Sequence, residues 1–525
     1  MISKTRLVSP ARKLRSDPGF PHISSWEMCH ARPSLLTVFS ITQSDHSILL
    51  LSIHDITDLE MQPAYDVTDV IDKITISFYS ESMNKRILLG LLLACVIICL
   101  VLFIVVFPGK EEVPEGPPKI VIIGMDGAGW NLINPLLEED ALPHFARMVK
   151  KGGHGILKTV RPVKSSVIWT SIATGKSMIK HGVVDWSYIN NNNIEVPFRQ
   201  SERRAKAFWN IFGEMGWTVG IINWFITFPP EEVNGYMVSE EFRHLGRRDF
   251  SEVSVTYPEK LLKRLEFVRL RNKDFPRILE QEGLPLFERH KTADEGTSML
   301  APFYRDFVFQ DKTIEKASFY LYKRFPVDVY ATYLRIIDVV CHFACAYIDE
   351  ELLKKGVEEE KNGAVTQETL NQIDRDFSRV MKPFYAYSDR ILGRFLELID
   401  PQTTLIVVSD HSFGFNRGGY GHTNLPEIPH GIIMMKGPHI KEDYKVQDAH
   451  IYDILPTMLY LFDMPVAEDL DGKVLTEVFT KKFLKSRPIR YIESYEGTST
   501  LKRGKKDTEL DKKMMEELRA LGYIK

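Results

Sequence analysis

The sequence predicts an α/β protein with a mostly parallel central sheet, flanking helices and one N-terminal transmembrane helix. Short apolar segments alternate with segments of helical spacing along residues 119–408, and this alternation is typical of parallel sheets covered by helices. A separate uncharged run, residues 87–107 (ILLGLLLACVIICLVLFIVVF), has the length of about 20 residues that a membrane span needs. These two observations define the predicted architecture.

Composition places the chain among globular proteins. It has 525 residues, of which 44% are hydrophobic and 26% charged, as in folded domains. The net charge is -3 and the pI about 6.6, so no global field attracts nucleic acid, and we expect no nucleic-acid partner. The five cysteines are odd in number and show no disulfide framework.

The apolar run 87–107 predicts a membrane anchor. Lys85 and Arg86 precede it, and the positive-inside rule then places the N-terminal side in the cytoplasm. We therefore expect a single-pass protein of the cell membrane, anchored through residues 83–108, with the chain after residue 108 extracytoplasmic. A cleaved signal peptide is the alternative, although the run is long for one and ends without a clear cleavage site.

The N-terminal extension, residues 1–82, fits poorly with the rest because it shows little sustained periodicity. Met83 and the basic residues after it resemble a normal N-terminus, and we hypothesise that translation begins there. Residues 109–118 (GKEEVPEGPP) predict a short tether.

Residues 119–481 are predicted to form the catalytic domain, followed by a charged tail, 482–525, that ends in a helix. Residues 240–325 interrupt the strand and helix rhythm and predict an inserted cap. Buried strands are expected at 119–124, 218–224, 328–337 and 404–408, and helices at 137–151, 203–216 and 385–398.

Acidic and imidazole side chains follow three of these strands. Asp126 follows the first, Asp338 and His342 follow the third, and Asp410 with His411 follows the last. Because ligands bind beyond the carboxyl ends of strands in open α/β sheets, these groups are expected to meet at one edge.

Each of these residues alone has a plainer interpretation, as a turn, a helix cap or a core histidine. Together they form a carboxylate cluster that needs cations, and the mixed Asp and His donors suit Zn²⁺ or Mn²⁺. His422, in a Gly-rich loop, is a further potential donor. The set is large enough for two divalent ions, with zinc the first expectation and manganese the second.

The nucleophile candidate lies in residues 161–182 (RPVKSSVIWTSIATGKSMIKHG), which are crowded with hydroxyl groups. A serine at a helix start beside a metal can be activated, and helix N-terminal amides can hold a phosphate. Spacing alone favours an ordinary helix cap.

The sequence resembles the alkaline phosphatase superfamily, and within it the type I phosphodiesterase/nucleotide pyrophosphatase branch and its predicted phosphohydrolase and phosphomutase relatives. The resemblance covers roughly residues 119–475. It rests on Gly124 to Gly127, on the Trp-Thr-Ser at 169–171, on Thr174-Gly175, on the Asp-x-x-x-His at 338–342 and on Ser409-Asp410-His411.

The resemblance implies an alkaline phosphatase-like core with two metal ions. One ion would be held by Asp126, Asp410 and His411 and would touch the nucleophile Ser165. The other would be held by Asp338, His342 and His422, with His430 as the alternative to His422.

Two departures affect the nucleophile. The diesterase branch usually has Thr at this position and Pro two residues later, whereas this chain has Ser165 and Val167. Ser166 therefore remains a rival nucleophile. Ser412 also replaces the glycine that usually follows the Asp-His pair.

The implied function is metal-dependent hydrolysis of a phosphate ester, favouring a phosphodiester or nucleotide pyrophosphate, through a covalent seryl-phosphate. The substrate would be a small molecule, a nucleotide, or a lipid or glycan headgroup. The alternatives are a phosphomonoesterase, a phosphomutase or a phospho-group transferase using the same site, and an inactive membrane-displayed binding module. A sulfatase is disfavoured because its signature Pro and Arg are missing after Ser165.

Overall fold

The computed structural model describes residues 39–43, 47–53, 74–79, 120–286, 303–400, 402–416, 419–422, 425, 427–497, 508–520 and 524. The chain divides into two compact units, residues 1–112 and 113–525. The predicted anchor at 87–107 and the tether at 109–118 lie outside the described residues and stay predictions. Within the described ranges, no helix combines the length and the apolar character that crossing a membrane requires.

The first unit contains a three-stranded antiparallel sheet in the order β1-β2-β3. Its register pairs Phe39 with Leu51 and Ile48 with Tyr79. The extension at 1–82 therefore contains regular strands, which its weak periodicity did not indicate. The strands are β1 Phe39–Gln43, β2 Ser47–Ile53 and β3 Ile74–Tyr79.

The second unit is built around a nine-stranded sheet in the order β10-β9-β8-β11-β4-β12-β15-β5-β16, with three two-stranded sheets beside it. The strands are β4 Ile120–Met125, β5 Gly153–Lys158, β6 Ser187–Ile189, β7 Glu195–Pro197, β8 Val219–Ile222, β9 Gly235–Val238, β10 Thr256–Tyr257, β11 Val329–Leu334, β12 Thr404–Val408, β13 Gly414–Asn416, β14 Gly419–Gly421, β15 Gly431–Lys436, β16 Tyr444–His450, β17 Val466–Ala467 and β18 Tyr491–Ile492.

The central strands β9, β8, β11, β4 and β12 are mutually parallel, whereas β10 and β15 join them antiparallel. Helices cover the sheet, so the predicted α/β architecture with a mostly parallel sheet is confirmed. The helices are α1 Trp130–Glu138, α2 Pro143–Lys150, α3 Ser165–Thr174, α4 Met178–His181, α5 Phe208–Glu214, α6 Leu261–Leu265, α7 Phe275–Glu282, α8 Tyr304–Arg324, α9 Ile336–Ala344, α10 Glu350–Lys361, α11 Gln367–Leu398, α12 Ile454–Leu461, α13 Lys481–Ser486 and α14 Thr508–Ala520.

Strand β4 shows why the sheet is covered on both faces. All its residues are buried, and successive side chains point to opposite faces. Val121 and Ile123 join the hydrophobic cluster that contains Leu132 of α1. Ile122 joins the opposite cluster, which contains Ile168 of α3. The helix that begins at the candidate nucleophile therefore packs on one face, and α9 packs on the other.

Several predicted elements differ in extent from the structure. The helices expected at 203–216 and 385–398 are Phe208–Glu214 and Gln367–Leu398. The strand expected at 328–337 ends at Leu334, and α9 begins at Ile336, because an apolar run does not distinguish strand from helix by periodicity. The helix expected at 137–151 overlaps only the end of α1 and then α2. Asp140 between them has a positive φ of 53°, and Pro143 begins the second helix, as proline favours.

The segment assigned to a cap, residues 240–325, contributes to the same unit as the sheet. Its strand β10 pairs with β9, and Phe309 and Leu321 of α8 lie in the same hydrophobic cluster as Val121 of β4. A short 3-10 turn, Glu240–His244, follows β9 and is fully buried. This turn lies near the candidate site described next.

Candidate active site

Three adjacent strands deliver the candidate ligands to one edge of the sheet. Strand β4 lies between β11 and β12, and all three run parallel, with Met125 beside Leu334 and Gly124 beside Val408. Asp126 follows β4 directly. Asp338 lies in the first turn of α9, and Asp410 with His411 follows β12 after one residue. The structure brings these residues together at one edge of the sheet, as expected.

The first ligand group consists of Asp126, Asp338 and His411, whose donor atoms lie within 4.8 Å of one another. His411 Nε2 is 3.3 Å from Asp126 Oδ1 and 3.7 Å from Asp338 Oδ1. Asp410 Oδ2 is 3.5 Å from the same nitrogen. All four residues are buried, so the group is a closed polar cluster rather than a surface patch.

The second ligand group consists of Asp338, His342 and His422, again within 4.8 Å. His342 lies one helical turn after Asp338, which brings its Nε2 to 3.5 Å from Asp338 Oδ1. The Nε2 atoms of His342 and His422 are 3.3 Å apart. Asp338 thus belongs to both groups, a bridging position that the sequence did not assign to it.

His422 and His430 were alternatives for one ligand. The ring of His422 stacks on His411, with centroids 4.1 Å apart. His430 instead accepts a hydrogen bond at Nδ1 from the backbone of Thr159, 3.1 Å away. The geometry therefore favours His422.

The three buried carboxylates have pKa values shifted in opposite directions. Burial and then the neighbouring Asp338 raise the pKa of Asp126, and burial and then Asp126 raise the pKa of Asp410 well above its usual range. Burial acts in the same direction on Asp338 and is the largest single influence, but the hydrogen bond from His342 and the charges of His342, His411 and His422 together outweigh it and lower the pKa of that carboxyl. The three carboxylates cannot all ionise without positive charge beside them.

Hydrogen bonds fix how two of the ligands are presented. Tyr333 donates its hydroxyl to Asp126 Oδ2, and Trp169 Nε1 donates to the same oxygen over 3.3 Å. His411 Nδ1 lies 3.0 Å from the carbonyl of Ser412. Because a carbonyl only accepts, Nδ1 carries the proton and Nε2 keeps its lone pair for a metal.

The donors fit divalent cations. Asp126 Oδ1, Asp410 Oδ2 and His411 Nε2 are buried and have no hydrogen-bond partner among the described residues, and both oxygens lie within 3.5 Å of that nitrogen. Unpartnered buried acceptors are costly, and cations would satisfy them. Imidazole and carboxylate together are a ligand set for Zn²⁺ or Mn²⁺.

Ser165 begins α3 and is buried. Its Oγ has no hydrogen-bond partner within the described part of the chain. Trp169, four residues later and on the same face of the helix, contacts Asp126. Ser165 is therefore on the side of α3 that faces the ligand cluster, with a hydroxyl available for chemistry.

Ser166 and Lys164 have other partners. Ser166 Oγ donates to the carbonyl of Asp185 over 3.0 Å, and Lys164 Nζ pairs with the carboxylate of the same Asp185 at 2.5 Å. Both side chains thus attach the start of α3 to the Asp185 loop. Of the two serines, the geometry favours Ser165 as the nucleophile.

The sequence did not reveal which residues hold the candidate ligands in place. Tyr333 is an ordinary strand residue, and only its position beside β4 reveals its bond to Asp126. The Ser412 that replaces the family glycine donates to Asn131 Oδ1 over 2.7 Å. A Cβ on Gly129 would lie 1.7 Å from Ser412 Oγ, so that glycine accommodates the substitution, a compensation not visible without the fold.

A test of the packing under the ligands is Gly124→Ala. The added Cβ would lie 2.7 Å from two ring carbons of Trp169 and 3.3 Å from Tyr333, the two residues that hold Asp126. We expect a loss of about 1–3 kcal/mol in the free energy of unfolding, measured by denaturant titration, together with weaker metal binding. Gly216→Ala, at a positive φ with open space around it, should also lower stability, through backbone strain, but should leave metal binding unchanged. Unchanged metal affinity in Gly124→Ala would contradict the coupling.

Comparison with known proteins gives partial similarities. A stretch of 95 residues is 32% identical to GPI ethanolamine phosphate transferase 3 of Schizosaccharomyces pombe and covers 17% of this chain. This chain spans 10% of the length of that relative.

Two solved structures are also similar. Human ectonucleotide pyrophosphatase/phosphodiesterase 5 is 12% identical, with 69% of this chain and 100% of that chain covered and a TM-score of 0.39. The phosphonate monoester hydrolase of Silicibacter pomeroyi is 12% identical, with 69% and 78% covered and a TM-score of 0.39.

The family model described as type I phosphodiesterase/nucleotide pyrophosphatase matches residues 120–469. The match begins at the strand that precedes Asp126 and includes every ligand in both groups. Because it spans more than half of the 525 residues, the chain belongs to the type I phosphodiesterase/nucleotide pyrophosphatase family of the alkaline phosphatase superfamily.

Proposed function

We propose that the protein is a metal-dependent hydrolase of phosphate esters that uses Ser165 as its nucleophile and passes through a covalent seryl-phosphate. The observation that carries the proposal is the buried cluster of Asp126, Asp338, Asp410 and His411 beside the helix that begins at Ser165. Family membership supports the same chemistry. A phosphodiester or a nucleotide pyrophosphate is the favoured substrate.

The proposed ligands divide between two divalent ions. Asp126, Asp410 and His411 would hold one, and His342 and His422 the other, with Asp338 within reach of both groups. Bound there, the ions would supply positive charge for the attacking and leaving oxygens. Zinc is the first candidate and manganese the second, because the donors combine imidazole and carboxylate.

The residues of the chain then perform the displacement. Ser165 Oγ forms a bond to phosphorus as the bond from phosphorus to the alcohol oxygen breaks, and the serine proton ends on the released alcohol. Water next attacks phosphorus, the bond to Ser165 Oγ breaks, and the serine regains a proton from that water. Tyr333 and Trp169 hold Asp126 by its Oδ2 and so keep its other oxygen in place.

A phospho-group transferase is the second candidate. The 95-residue similarity to an ethanolamine phosphate transferase favours it, and the same seryl-phosphate would serve. The acceptor alone differs, because an alcohol would replace water in the second step.

The test is a substrate screen with the full-length protein loaded with Zn²⁺ or Mn²⁺. We expect turnover of an aryl phosphodiester or an aryl phosphomonoester, and none of an aryl sulfate. Chelation should abolish the activity and readdition of metal should restore it. Adding ethanolamine or glycerol separates the two candidates, because a transferase would form a phosphate ester of the added alcohol in place of the hydrolysis product, which is a phosphomonoester from a diester and free phosphate from a monoester. Absence of any phosphate-ester cleavage by the metal-loaded chain would reject the proposal.

The location of the protein is a separate proposal. If residues 87–107 form the predicted anchor, the full-length protein should sediment with membranes after carbonate washing, and protease added outside intact cells should digest the part of the chain after residue 108. Release of the protein by the wash would contradict the anchor.

A further inference from the structure

A pocket connects the ligand cluster with a group of basic side chains. Its lining includes Asp126 and Asp338 as well as Arg243 and Arg335. Arg335 follows β11 and directly precedes the helix that carries Asp338. The same space that reaches the proposed metal ligands therefore also reaches guanidinium groups.

The basic side chains surround one carboxylate. We define the basic cluster as Arg243, His244, Arg248 and Arg335. Glu517 of α14 lies in its centre, with oxygens 2.7 Å from Arg248, 3.0 Å from His244, 3.2 Å from Arg335 and 3.7 Å from Arg243. The four basic side chains are all less than about a tenth exposed. The cluster is therefore buried rather than a solvated surface patch.

The cluster offers hydrogen-bond donors that Glu517 does not use. Arg243 is buried, and its Nε and Nη1 have no hydrogen-bond partner among the described residues. Glu241 pairs with Arg248. Without the Glu517 carboxylate, Arg243 would keep its unpartnered buried donors, and buried guanidinium donors of this kind favour binding an anion.

Helix α14 is held over the pocket by contacts at both ends. Asp511 near its start forms an ion pair with Arg199, and Arg519 near its end forms one with Glu195 at 3.3 Å. Met514 and Leu518 line the pocket together with Glu517. Helix α14 thus places the Glu517 carboxylate where an anionic group of a substrate could bind.

We propose that the basic cluster is a subsite for a second anionic group of the substrate, and that Glu517 occupies it as an internal competitor. This inference rests on the proposed function, because it assigns a substrate class to that site. The reacting phosphate ester would lie at the ligand cluster, and a phosphate or carboxylate elsewhere on the same molecule would displace Glu517 from the arginines. Substrates without such a group would leave α14 in place.

The test measures binding to the metal-loaded full-length chain by calorimetry, with methylphosphonate as the single anion and with bisphosphonates joined by one to four methylene groups as paired anions. In Glu517→Gln, which keeps the size of the side chain, we expect at least one bisphosphonate to bind about fivefold tighter or more. Methylphosphonate should bind as in the wild type. The matched control is Glu516→Gln, since Glu516 is exposed on the same helix and should change neither affinity.

A second variant keeps the proposal falsifiable if Glu517→Gln merely loosens the helix. Adding Arg243→Gln to Glu517→Gln should remove the gain in bisphosphonate affinity and leave methylphosphonate unchanged. Equal bisphosphonate affinity in wild type and Glu517→Gln, or an equal gain for both probes, would overturn the subsite. Because binding is measured without turnover, a selective gain in a protein that cleaves no phosphate ester would reject the proposed function and keep the subsite.

Discussion

Replacing Ser165 with alanine is expected to lower kcat on an aryl phosphodiester by a factor on the order of 10⁴ or more, as loss of a covalent nucleophile does in other hydrolases. The metal content should not change, because Asp126, Asp338 and His411 form their group without the serine. Steady-state kinetics and elemental analysis on the same preparation measure both quantities. Stability should change little, since Ser165 Oγ has no hydrogen-bond partner in the described ranges.

Ser166→Ala is the matched control. It removes the hydrogen bond to the carbonyl of Asp185 and should cost about 0.5–1.5 kcal/mol of stability, with turnover retained. If Ser166→Ala were inactive and Ser165→Ala active, the nucleophile would be Ser166. If both variants kept full activity, the seryl-phosphate mechanism would be wrong.

Asp338→Asn is expected to abolish turnover and to release both metal ions. Asp338 is the residue that belongs to both ligand groups, and its carboxylate is buried. We expect the affinity for zinc or manganese to fall by more than about 100-fold, the upper end of what loss of an outer partner alone causes. Elemental analysis after dialysis and calorimetric titration with the metal measure this loss.

Two further variants serve as comparisons for Asp338→Asn. Asp410→Asn leaves the group of Asp338, His342 and His422 complete, so it should lose one ion and keep the other. Asp349→Asn changes an exposed aspartate that caps α10 through the Leu352 amide, and asparagine caps as well. It should keep both ions and full activity. Metal content in Asp338→Asn equal to that of Asp410→Asn would contradict the bridging role of Asp338.

The two experiments separate chemistry from metal binding. Loss of turnover with intact metal in Ser165→Ala identifies a nucleophile, whereas loss of both in Asp338→Asn identifies a ligand. An inactive binding module, the non-enzymatic alternative, would bind metal in the wild type and show no turnover for Ser165→Ala to remove. The pair therefore tests the alternative as well as the proposal.

The sequence by itself determined the fold class, the family and the residues that follow the strands. Runs such as residues 120–125 are apolar throughout because both faces of a parallel sheet are buried, so strand ends are visible in a single sequence. Asp126, Asp338, Asp410 and His411 could be named from those ends. The family match over residues 120–469 confirms the resemblance on which the serine and the remaining histidines depended.

Only the tertiary structure decided how those residues are shared and supported. The bridging position of Asp338, the hold of Tyr333 and Trp169 on Asp126, and the four basic partners of Glu517 join residues that are far apart in the chain. Strand order and helix packing set these distances, and neither leaves a local pattern in the sequence. Hydrophobic periodicity reports which face of an element is buried, whereas the partner on the other side of a contact depends on how all the elements pack.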